Sequence, residues 1–67
     1  MEHSEEYRGH SISVSTSKLG EGNVWSYLTD GEHYTEQYGD RPLSEDLALS
    51  EGIGNARYAV DRMIDAR

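Results

Sequence analysis

Cysteine is absent from the 67 residues, and cations are scarce: six lysines and arginines stand against 13 aspartates and glutamates, for a net charge of −7. Without cysteine, neither a disulfide nor a thiolate metal site can supplement the core, and no oxidising compartment is implied. No stretch approaches the roughly 20 consecutive apolar residues that a membrane-spanning helix needs. Residues 1–6 are acidic and carry no apolar run, so they read as neither a signal peptide nor an anchor. The expectation is a soluble, cytoplasmic protein.

Shortness and acidity narrow the field further. A chain of this length makes one domain and buries only about 60% of the surface that its unfolded form exposes, so the core is thin. Oligomerisation is the remaining way to reinforce it. Residues 1–40 hold eight carboxylates against Arg8 and Lys18, while residues 41–67 hold five against Arg41, Arg57, Arg62 and Arg67. Phosphate recognition relies on lysine and arginine, so nucleic acid and anionic membrane surfaces are disfavoured as partners.

What is present is organised around one amphipathic stretch. From residue 43 onward, Leu49, Ile53, Ala56, Val60 and Met63 fall on one stripe at about 100° per residue, with Ile64 beside it. Ser44 is the expected N-cap, followed by Glu45 and Asp46 where the helix dipole favours anions; Arg62 and Arg67 suit the other end. Pro42 disfavours helix at Arg41 and lets one start afterwards, so residues 38–43 read as a crossing loop.

Upstream, residues 1–6 read as a flexible acidic tail, and residues 7–67 as the domain. His10, Ile12 and Val14 alternate with Ser11, Ser13 and Ser15, the period of a half-buried strand. Residues 17–23 carry two glycines and an asparagine and read as a long hairpin loop. Residues 24–29 form a second strand rich in aromatic and branched residues, and Asp30-Gly31 suits a two-residue type I′ turn. Counting from that turn sets Thr29 opposite Glu32, Leu28 opposite His33, Tyr27 opposite Tyr34 and Trp25 opposite Glu36. The predicted fold is α+β: a three-stranded antiparallel meander followed by one C-terminal helix packed on one sheet face (β-β-β-α).

One helix covers only one of two sheet faces. Aromatic burial favours turning Trp25, Tyr27 and Tyr34 inward with Ile12 and Val14, since each large ring removes roughly 150 to 250 Å² from water. Val24 and Leu28 then stay on the open face with His33, Thr35 and Gln37. The opposite assignment leaves three aromatics exposed and calls for a partner to cover them. Gly52, at the edge of the helix stripe, lets the helix approach a bulky residue such as Trp25. Gly54 lies on the far side beside Leu47 and Tyr58, where the three can form a small contact patch.

Chemistry is sparse. None of the serines sits in a nucleophile elbow, and strand and cap positions account for them. Asp30, Glu32, His33 and Glu36 cluster in sequence as metal ligands would, but Glu32 and His33 alternate across a strand and cannot converge. Gly20-Glu21-Gly22 is a lone Gly-x-Gly whose glutamate repels phosphate. No catalytic residue, cofactor or metal is expected.

Tyr7-Arg8-Gly9-His10, Trp25-Ser26-Tyr27 and the run Gly52-Ile53-Gly54-Asn55-Ala56-Arg57 through Val60-Asp61 give the chain a resemblance to small uncharacterised bacterial proteins of β-β-β-α layout. More distantly, the layout and the run from Asn55 to Val60 resemble the HicB-type antitoxins, whose compact domain is similar to a double-stranded-RNA-binding fold. That resemblance implies a regulatory protein linked to nucleic acid or toxin control. The sequence departs from the family in lacking a Pro-Gly-Cys-like turn after the second strand. The residues themselves favour a non-enzymatic module that self-associates or docks a protein partner, with Val24, Leu28, Leu47, Gly54 and Tyr58 as contact candidates.

Overall fold

Three tight turns, each with positive φ at its glycine, fold the first half of the chain into a meander: Gly9 at 84°, Gly20 at 64° and Gly31 at 70°. The computed structural model describes residues 1–37 and 42–66. Four strands run in the order β1 (Glu2–Tyr7), β2 (His10–Leu19), β3 (Gly22–Thr29) and β4 (His33–Glu36), every neighbouring pair antiparallel, and a C-terminal helix α1 (Glu45–Asp65) follows. The α+β class and the single helix are as the sequence predicts; the sheet has four strands where three are expected. The part of the crossing loop at residues 38–41, and Arg67 at the helix end, lie outside the described residues.

The added strand is β1, so residues 1–6 are not a tail. His3, Glu5 and Tyr7 alternate toward the helix and are half-buried, while Glu2, Ser4 and Glu6 are exposed. Glutamate is a poor strand former, and what compensates is a set of partners on α1. Arg57 Nε donates to Glu5 Oε2 at 2.9 Å and Arg57 Nη2 to Glu5 Oε1 at 2.8 Å. Tyr7 donates its hydroxyl to Asp61 at 3.0 Å, and Arg8 reaches the same carboxylate at 2.7 Å.

The β2–β3 connection is also tighter than predicted. Leu19 pairs with Gly22, leaving a two-residue turn at Gly20 and Glu21 in place of a loop over residues 17–23.

At Asp30-Gly31 the turn forms as expected, with φ of 53° and 70° and the Glu32 amide donating to the Thr29 carbonyl at 3.0 Å. The register differs by one. Thr29 pairs with His33, Leu28 with Tyr34 and Tyr27 with Thr35. Asp30 is held by β2 instead: its amide donates to the Ser11 carbonyl at 2.9 Å, and its carboxylate accepts from the Ser11 amide at 3.1 Å and lies 2.6 Å from His10 Nδ1. Glu32 becomes the extra residue. A slip of one position exchanges the two faces of a strand, so Tyr34 and Glu36 share the open face with Leu28 and Ser26, and His33 and Thr35 move to the helix side.

The helix covers the face carrying Ile12, Val14, Trp25 and Tyr27. Ile12, Val14, Ala56 and Val60 form the buried centre, ringed by Tyr7, Tyr27, Leu49, Ile53 and Ile64. Trp25 stacks on Tyr27 with ring centres 5.9 Å apart. Tyr34, counted inward from the sequence, is 60% exposed.

The helix's deepest line runs through Ala48, Gly52, Ala56 and Val60, with Leu49 and Ile53 flanking it. Small residues occupy that line because the helix lies so close: a Cβ on Gly52 would stand 2.7 Å from Val14 Cγ1 and 3.0 Å from Trp25 Cβ. Ser44 caps the helix, its hydroxyl accepting from the Leu47 amide at 3.1 Å.

Candidate functional site

The five contact candidates fall on two separate surfaces. Val24 and Leu28 are half-buried on the sheet face opposite the helix, whereas Leu47 and Tyr58 are 51% and 61% exposed on the helix's outer side. Gly54 is on that outer side too, with no atom within 4 Å of where a Cβ would stand. Tyr58 has a neighbour, the Arg62 guanidinium, 5.8 Å from its ring centre. The outer helix patch therefore presents two exposed side chains, Leu47 and Tyr58, beside a bare glycine, whereas the sheet face carries a hollow.

Strand alternation and register lay out that sheet face in rows. Glu2, Ser15, Ser26 and Glu36 stand side by side across the four strands, and Ser4, Ser13, Leu28 and Tyr34 make the next row. Ser17 faces Val24 on the other flank, with Leu19 one step further out and 55% exposed. Leu19, Val24 and Tyr34, with Ser17, Ser26 and Glu36, line an open hollow of about 260 Å³. Tyr34 donates its hydroxyl to Glu36 Oε1 at 2.8 Å and so fixes the carboxylate at the rim.

Of these residues only Val24 is among the contact candidates read from the sequence; Leu19, Tyr34 and Glu36, with Ser17 and Ser26 between them, were missed. Leu19 shares parity with Ser15 and Ser17, a signal hidden by reading residues 17–23 as a loop. Tyr34 and Glu36 depend on the extra residue in the β3–β4 turn, for which the sequence carries no signal.

The helix side is electrostatically closed. Arg57 above all, then His3 at 2.5 Å, holds the Glu5 carboxyl down at about 2. Arg8 holds Asp61 below the usual carboxylate range, with Tyr7 adding to the effect. Beside His10, and with the Ser11 amide bound, Asp30 is likewise lowered. The Tyr7 hydroxyl is raised by Asp61, and the Arg57 guanidinium also stands 5.6 Å over the Tyr7 ring. These contacts fasten β1 and the turns to the rest of the fold.

Among the described residues, no three acidic, histidine or cysteine side chains gather where they could hold a metal ion. Asp30 is engaged by His10, and His33 and Glu36 point to opposite faces. No helix among them is long and apolar enough to cross a membrane. Comparison with protein-family models, curated proteins and solved structures finds no match to the chain.

Proposed function

We propose that this chain is a non-enzymatic protein-interaction module that docks a partner protein on its open sheet face, in the cytoplasm. The observation that carries the reading is the grouping of Leu19, Val24, Leu28 and Tyr34 on the one face that α1 does not cover. Apolar side chains gathered around a hollow are the usual form of a contact surface, whereas scattered ones such as Leu47 and Tyr58 are ordinary. The serines of β2 and β3 are small and leave that face low enough for another chain to lie on it.

A different partner suits the face better than a second copy does. Two carboxylates of β1 and one of β4 lie on it, and a face-to-face pair of identical chains would oppose like charges. Sedimentation of the purified protein tests this: the expected result is a monomer at micromolar concentration, and a stable dimer would favour self-association. The HicB-like alternative is the case in which the docked protein is a toxin; its nucleic-acid arm sits poorly with an acidic sheet.

The test is co-purification from the native host. Leu28→Asp and Tyr34→Asp are expected to lose a partner that wild type and Tyr58→Asp retain. Loss with Tyr58→Asp and retention with the sheet variants would move the site to the helix.

A further inference from the structure

The charges of the open face are one-sided. Its carboxylates are Glu2 and Glu6 on β1 and Glu36 on β4, and among the described residues no lysine, arginine or histidine falls at the strand positions of that face. Arg57 is engaged by Glu5, Arg8 by Asp61, and the N-terminal ammonium by Glu45 at 3.3 Å, while Lys18 stands at a strand position of the opposite face, paired with Asn23. Glu2 and Glu36 also close the two ends of one row whose middle is Ser15 and Ser26. With strands about 4.8 Å apart, three spacings set the backbone positions of Glu2 and Glu36 roughly 14 Å apart. Apolar side chains border the row on both flanks, Val24 with Leu19 on one and Leu28 with Tyr34 on the other.

Resting on the docking reading above, we propose that the occupant is a basic, apolar-centred segment of a partner protein, lying along the Glu2–Ser15–Ser26–Glu36 row. Lysine or arginine side chains meet Glu2 at one end and Glu36 at the other, and apolar side chains between them enter the hollow and the Leu28–Tyr34 flank. The serine hydroxyls, which both donate and accept, meet polar groups of the incoming chain. Electrostatic complementarity sets partner choice and association rate, and the apolar contacts supply residence. Row geometry distinguishes this from a diffuse attraction between an acidic protein and any cation, because it requires two positive groups at a fixed separation with apolar atoms between them.

The test uses the full chain and three probes: a five-residue peptide with lysine at each end and leucine and serine between, whose extended length of roughly 14 Å from first to last residue matches the row, the same peptide with glutamate in place of lysine, and spermine. Amide shifts in nitrogen-correlated NMR spectra are expected from the lysine peptide at Ser15, Ser26, Leu28, Tyr34 and Glu36. The double variant Glu2→Gln/Glu36→Gln is expected to weaken that binding roughly tenfold, while Glu51→Gln/Asp65→Asn, the same charge change on the helix, leaves it as in wild type. Equal weakening by both doubles, or shifts centred on α1, would overturn the proposal. Matching shifts from spermine at equal affinity would overturn it in favour of a small polycation. Equal binding of the glutamate peptide would overturn the cationic partner while leaving the docking face standing, and no shift from any probe overturns the proposal outright.

Discussion

Arg57 and Glu5 lie 52 positions apart in sequence and meet in a two-pronged ion pair, with contacts of 2.9 and 2.8 Å. This pair joins the N-terminal strand to the helix that covers the sheet. Arg57→Ala is therefore expected to release β1 ahead of the other strands, since the loss leaves a half-buried carboxylate without its main partner. Hydrogen exchange checks it: amides of residues 2–7 should exchange faster in the variant, with those of β3 little changed. Uniform acceleration along the chain would mean that β1 has no separate anchor.

Acid should weaken the same attachment. Glu5 is depressed from its ordinary 4.5 to about 2, so its contribution is complete above about pH 4.5 and is lost as pH falls through about 2. The lowered values of Asp61 and Asp30 act in the same direction. Denaturant midpoints for wild type and Glu5→Gln are expected to differ near neutrality and to converge in acid. A difference that grows on acidification would contradict the assignment.

The two helical glycines should respond oppositely to alanine. Gly54→Ala meets open space and gains helix propensity, so it is expected to stabilise by about 1 kcal/mol. Gly52→Ala gains the same propensity but drives a methyl against Val14 and Trp25, and overpacking of this kind costs about 1 to 3 kcal/mol. Urea unfolding of the two variants measures both signs.

Removing the helix cap gives a simpler expectation. Ser44→Ala leaves the Leu47 amide without its side-chain acceptor and should lower stability by about 1 kcal/mol, read from the same urea titration.

The legible parts of the sequence are those governed by local rules. The β2 alternation, the Ser44 cap, the Asp30-Gly31 turn and the close approach at Gly52 each follow from residues within a few positions or from one missing side chain. β1 escaped because its helix-facing residues are His3, Glu5 and Tyr7, two of which read as solvated until their partners are brought in from distant positions. Tyr34 escaped for a different reason. Both strands flanking the turn tolerate either register on pattern alone, and the choice is made by Asp30 bonding back to Ser11 on β2. The open face was recognised through Val24 and Leu28, yet its other half came with that register.

Site-specific photo-crosslinking in the native host tests the docking face most directly. A photoactivatable phenylalanine analogue in place of Tyr34 is expected to give a discrete adduct with another protein, and the same group in place of Tyr58 none. Adducts from position 58 alone, or from neither position, would contradict the assignment of function to the sheet face.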